Sequence, residues 1–340
     1  MENNANMQGK EVNPEVNSIE QTEPAAPVIH VSPSPHLVQT SSSTRRMMVD
    51  VLIALAPVVA MSLFVFRGFA LFQLAVCLGG SLLAELLFVK MRGRPSTLKD
   101  CSAVVTGIIL AMSLPGTAPW YVGGIAAFVA IGIGKIIFGG LGMNLFNPAM
   151  VGRAFVMISF AGALAASGFE DARSVVDAIS QATPMNAYKM NGVVAPLADL
   201  FWGTTNGSLG ETSAVACLLG GLYLLIRRTA SWEIPAGMLL AVLVVGGMAD
   251  FAGPADGWTV LHHILGGSLL FGAFFIATDP VTSPLTPKGK FIFGLGIGML
   301  IMLLRLFSGY PEGVMFAVLL MNALTPLINR WTIPTPFGGQ

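Results

Sequence analysis

The sequence predicts an all-α polytopic membrane protein of about ten transmembrane helices in two inverted five-helix repeats, and three observations carry that fold class. First, 54% of the 340 residues are hydrophobic and 11% are charged, where a soluble domain carries about a quarter charged residues. Second, apolar runs long enough to cross a hydrocarbon core of about 30 Å recur along the chain. Third, TGIILAMSLPGTAP and FGAFFIATDPVTSP place Gly107, Pro115 and Pro119 at the same spacing as Gly272, Pro280 and Pro284. An odd number of spans between two such copies inverts the second relative to the first. Both copies end in proline-interrupted segments, whose freed backbone groups must be satisfied by protein or by a water-lined cavity.

Taken in order, residues 1–45 read as a cytoplasmic disordered tail, rich in Asn, Glu, Pro and Ser and too poor in apolar clusters to offset ordering entropy. The tail lacks the basic region, apolar core and small-residue cleavage site of a signal peptide, so the first apolar run is expected to be a retained helix. Spans are expected at roughly 47–66, 69–91, 101–114, 119–139 and 147–166, which form a first repeat over 46–166. A second repeat over 211–330 holds spans near 211–226, 234–249, 260–277, 289–307 and 312–328. Residues 167–210 form the loop between them and 331–340 a cytoplasmic tail.

Orientation follows from the basic residues. With a cytoplasmic N-terminus, Arg45, Arg46, Lys90, Arg92, Arg94, Lys99, Arg227, Arg228, Lys288, Lys290 and Arg330 fall on the cytoplasmic side, and only Arg67, Arg173, Lys189 and Arg305 on the other. The loop 167–210 is therefore extracytoplasmic. Zero formal net charge and the absence of a long basic run give no reason to expect nucleic acid. Cys77, Cys101 and Cys217 lie far apart in or beside apolar runs, a pattern of packing rather than of disulfides or metal clusters.

Polar side chains inside spans are costly and need a reason. Glu85 can meet a cation or pair with Lys90. Lys135, Arg153 and Arg305 lie near span ends, where long side chains are expected to reach the headgroups. Asp279 stands beside Thr278, Thr282 and Ser283, an oxygen cluster that suits a hard cation and equally a helix-ending turn before Pro280. Asn144 and Asn147 precede Pro148, a capping arrangement. Glu85, Asn147, Asp279 and Asn322 are the candidates for an ion path. His262 and His263 are adjacent, and helical neighbours point about 100° apart, so no shared metal site is assigned.

The remaining polar feature is DAISQATPMNAYK, Asp177 to Lys189. Its small residues, and Pro184 biasing Thr183 away from helix, suit an accessible hydroxyl, and by themselves they describe only a Ser/Thr-rich loop.

GMNLFNPAMVGRAFVMISF, then DAISQATPMNAYK, then ATDPVTSPLTPKGKFIFGLGIGMLIMLLRLFSGYPEGVMFAVLLMNALTPLINR together resemble the family formed by the D subunit of Rnf ion-translocating electron-transport complexes and the B subunit of sodium-pumping NADH:quinone oxidoreductases. The resemblance spans about residues 40–335, and the chain length fits the D subunit better. It implies a bacterial inner-membrane subunit of a complex that couples electron transfer between ferredoxin and NAD to Na+ or H+ translocation. It implies FMN joined through its phosphate to a threonine hydroxyl by a flavin transferase, with Thr183 as acceptor and Asp177, Ser180 and Ala182 as its recognition frame. Gln181 stands where the family usually has glycine. Further implied are a second, non-covalent flavin such as riboflavin near the cytoplasmic side, without assigned residues, and as partners the A, B, C, E and G subunits besides membrane lipid. Two other readings fit parts of the chain: the quinone-reducing B subunit, and a stand-alone channel, because the inverted five-plus-five pattern resembles urea and ammonium channels.

Overall fold

The computed structural model describes residues 43–93, 97–166, 183–205, 207–211, 213–252, 257–308 and 313–334. Asp177, Ser180 and Ala182 lie outside the described residues. The described chain is helical, with one isolated β-bridge between Pro115 and Ser208.

The first helices are α1 (Thr44–Phe66), α2 (Gly68–Met91), α3 (Ser102–Ser113), α4 (Trp120–Ile131) and α5 (Pro148–Ser159). After α6 (Ala161–Ala166), the connecting region holds the short helices α7 (Pro184–Asn191) and α8 (Leu197–Trp202). Next come α9 (Ala214–Ile226), α10 (Glu233–Ala252), α11 (Val260–Leu265), α12 (Leu269–Phe271), α13 (Pro287–Phe307) and α14 (Val314–Thr332). α4 and α12 each run on into one π-helical turn, Gly132–Ile136 and Gly272–Ile276.

Five helices, α1, α2, α10, α13 and α14, are long and apolar enough to cross a membrane, and α3, α4 with its π turn, α5 and α9 are apolar but shorter. The expected span at 260–277 is divided between α11 and α12, and that at 147–166 breaks at Phe160 between α5 and α6. Length is lost where the helix is interrupted, so an apolar run in the sequence is not one rod. Phe64, Leu71 and Leu83 are left exposed on α1 and α2, the side a polytopic membrane protein turns to lipid.

Helix starts follow their local chemistry. Asn147, Thr183 and Thr286 each accept from a backbone N–H in the first turn, and each is followed by proline, which loses no hydrogen bond at the first helical position. Packing joins α2 to α3 and α4, α4 to α5, α10 to α13, α13 to α14, α1 to α9 and α5 to α14. Small residues permit the close approaches: a methyl group at Gly220 would lie 2.1 Å from the Ala54 carbonyl oxygen, so α1 and α9 meet backbone to backbone. Such contacts replace the hydrophobic drive that helices lack in lipid.

Candidate functional site

Two regions carry chemistry. The first is a cavity between α1, α3, α5, α9 and the π turn at Gly272–Ile276, enclosing about 760 Å³ of empty space including its open mouth. Thr106, Lys135, Asn144, Asn147, Phe275 and Asp279 are among the residues that line it.

Its wall is built where the second π turn ends. The Ile276 carbonyl accepts from the Asn147 side-chain amide (3.4 Å), and the Thr278 hydroxyl donates back to Phe274 O (2.6 Å). Asp279 then accepts from Val281 N and the Thr282 hydroxyl, both at 3.2 Å. The Asn322 amide, fully buried and in the orientation that satisfies both ends, accepts from Asn147 N (3.0 Å) and donates to Val318 O (3.3 Å). Three of the four ion-path candidates, Asn147, Asp279 and Asn322, thus converge on one break.

Glu85 stands apart from them and reaches the cavity only through Lys135. Lys135 Nζ donates to both Glu85 oxygens (3.0 and 3.1 Å) and to Ser102 Oγ (2.5 Å), and Ser102 Oγ donates on to Asp100 (2.6 Å). The Thr97 hydroxyl also bonds Glu85. The ion partner of Glu85 is therefore Lys135, not the neighbouring Lys90.

The expectation that Lys135 and Arg305 reach headgroups is corrected by the structure, because each is only 2% exposed. A π turn carries an extra residue, and it leaves Lys135 in the interior. Arg305 donates to His263 O and Gly266 O, carbonyls freed where α11 stops. Arg153 lies 3.9 Å from Glu211. Asn144 lines the cavity, and its buried Oδ1 has no hydrogen-bond partner among the described residues.

The second region is α7, which Thr183 caps. Thr183 Oγ1 accepts from Asn186 N (3.3 Å) and the residue is partly exposed, with Pro184 as the first helical residue. A hydroxyl there sits at the positive end of the helix dipole, where a phosphate is stabilised. Lys189, in the last turn, donates to Ser308 O (2.8 Å). Burial, and secondarily the Arg305 charge, hold its ammonium below the usual lysine pKa. His262 takes a structural role: its Nδ1 accepts from Thr259 N (3.0 Å), which leaves Nε2 to donate to Ala195 O (3.2 Å).

Sequence reasoning missed Lys135, Ser102 and Thr97 as one network. No local signal marks it, since Lys135 and Glu85 are 50 residues apart.

Comparison with known proteins adds what geometry alone does not. Residues 30–338 match the family described as NQR2, RnfD, RnfE. The chain is 39% identical over 312 residues to the D subunit of the Na(+)-translocating ferredoxin:NAD(+) oxidoreductase complex of Acetobacterium woodii, covering 91% of this chain and 95% of that one. It is 41% identical to the D subunit of the proton-translocating ferredoxin:NAD(+) oxidoreductase complex of Clostridium ljungdahlii, covering 92% and 96%. It is 39% identical to the D subunit of the ion-translocating oxidoreductase complex of Halorhodospira halophila, covering 87% and 92%.

Proposed function

The chain belongs to the NQR2, RnfD, RnfE family, and from that premise we propose that it is the D subunit of an Rnf-type complex, relaying electrons between ferredoxin and NAD through FMN on Thr183 while the complex moves Na+ or H+. The names of the relatives support the complex and its reaction. Those two relatives, nearly equal in identity, are named for different ions, so dependence of turnover on sodium is the measurement that separates the ions. In this reading the A, B, C, E and G subunits are the partners and a flavin transferase makes the attachment.

The observation that carries the flavin is the position of Thr183: a partly exposed hydroxyl capping a helix N-terminus. Bound FMN supplies one- and two-electron redox chemistry. The chain supplies the rest. Thr183 Oγ1 would bear the phosphoester, and the positive end of the α7 dipole faces the phosphate charge. Asp177, Ser180 and Ala182 form the sequence frame that the transferase reads. A tether keeps the cofactor at an effective concentration on the order of millimolar, outside the cytoplasm where it would otherwise diffuse away.

The mouth of the cavity is where we place the second flavin. It lies beside the first turn of α1 and the α9–α10 connection, the cytoplasmic side in the orientation set by the basic residues. Asn144, with its unpartnered oxygen, would meet a polar ring edge, and Phe274 and Phe275 apolar ones. The same orientation puts α7 on the outer face. The transmembrane part reads as two inverted halves of five spans, 46–166 and 211–330. The support is the repeated Gly and Pro spacing and the parallel packing of α2–α4–α5 and α10–α13–α14.

The test is direct. After denaturing electrophoresis of the complex from cells with an active flavin transferase, this band should fluoresce under ultraviolet light and Thr183→Ala should darken it. A dark wild-type band sinks the flavin assignment.

A further inference from the structure

α7 has eight residues, below the roughly 12 to 15 at which an isolated helix becomes even marginally stable in water. Met185 is its one buried residue. Its position must therefore come from what its side chains touch. Tyr188 stacks on Trp258, with ring centroids 4.4 Å apart and planes 16° from parallel. Trp258 is 5% exposed and also meets His262, at 4.9 Å and 30°. His262 in turn holds Ala195 O, just past α7, and is fixed by Thr259. Gly257, at φ +83°, supplies the left-handed turn that delivers Trp258 to this place.

The rings form a continuous path from α7 to α11, which begins one of the divided spans. Next to Tyr188, Lys189 ties α7 to Ser308 at the end of α13. An aromatic pair stabilises beyond the area it buries, which matters most for so short a helix.

We propose that Trp258 and Tyr188 are positioning residues for the electron relay: their stack docks α7 on α11 and so fixes where the Thr183-linked flavin sits. The inference rests on Thr183 as the flavin acceptor. A covalent link limits how far a cofactor can stray, yet it does not orient it. Orientation requires that the helix carrying the link be held, and the stack holds it on the α11 side while Lys189 holds it to the end of α13.

The experiment uses the whole complex with wild type, Trp258→Leu, Trp258→Phe and Tyr188→Leu. Band fluorescence reads attachment, anisotropy of the attached flavin reads its mobility, and amide hydrogen exchange over residues 184–192 reads docking. In Trp258→Leu and Tyr188→Leu the flavin should stay attached, its anisotropy should fall, and exchange in 184–192 should accelerate severalfold with the long helices unchanged. Trp258→Phe, which keeps a ring, should restore both readings. Unchanged exchange and anisotropy in the leucine variants overturn the proposal. If Trp258→Leu does not accumulate, the partly exposed Tyr188→Leu decides by the same readings. A dark wild-type band overturns the acceptor assignment and with it the flavin claim, while exchange in the same samples still reports separately on docking.

Discussion

Two segments of this chain are broken at proline, after Leu114 and after Asp279, and their freed backbone groups are satisfied by different means. At the first break the main chain of another segment does most of the work: Leu209 N donates to Leu114 O (3.2 Å) and Gly210 N to Met112 O (2.7 Å), beside the bridge from Ser208 to Pro115, and the Ser113 hydroxyl adds a bond to Leu110 O (2.7 Å). At the second break a local backbone turn, Asp279 N onto Ile276 O (3.3 Å), is supplemented by side chains. Asn147 donates to Ile276 O, and Thr325 reaches Thr282 O at 3.0 Å. Backbone pairing packs tightly, and Leu209 is fully buried. Side chains stand further off and can change partner, and it is the second break that lines the cavity. Irregular backbone at membrane depth is tolerated where protein or a cavity satisfies it. Here the first break follows one route and the second the other.

The largest expected effect lies on the cavity side. Lys135→Met leaves Glu85 buried without its partner, and breaking a buried pair in this way costs about 3–5 kcal/mol. The detergent-extracted full chain should unfold well below wild type on heating, and adding Glu85→Gln should recover most of the loss. A single variant as stable as wild type would show that the Lys135–Glu85 pair does not hold this region together. Next comes Asn147→Ala, which removes a helix cap and the donor to Ile276 O together, for about 2–3 kcal/mol in the same measurement. Thr325→Val keeps the shape and loses one hydroxyl bond to Thr282 O, about 1 kcal/mol.

What is legible in the sequence divides along the same line. Asn147 as a cap and Asp279 as a turn are readable because both bond within three residues. The apolar runs are readable because lipid demands length and hydrophobicity. The interruptions at Phe160 and between α11 and α12 are not, since composition does not register where a helix yields to packing. Lys135 is misread because nothing near it in the chain shows that a π turn will turn it inward to a carboxylate 50 residues away. Arg305 fails the same way, its partners His263 and Gly266 lying 42 and 39 residues back. Thr183 is singled out by family resemblance, and its capping geometry becomes visible only in the structure.

The smallest effect is expected at the first break, and it tests the comparison most sharply. Ser208 sits in the bridge, and its hydroxyl donates to Glu211 (2.8 Å), while Leu114 O and Met112 O are held by backbone N–H donors that no ordinary side-chain substitution removes. Ser208→Ala should therefore cost no more than about 1 kcal/mol, the value of one hydrogen bond. Leu209→Pro, which deletes the N–H to Leu114 O, should cost more than Ser208→Ala in the same thermal measurement. The reverse order would mean that the first break, like the second, is held by its side chains, and the contrast between a closed break and a cavity-lining one would have to be abandoned.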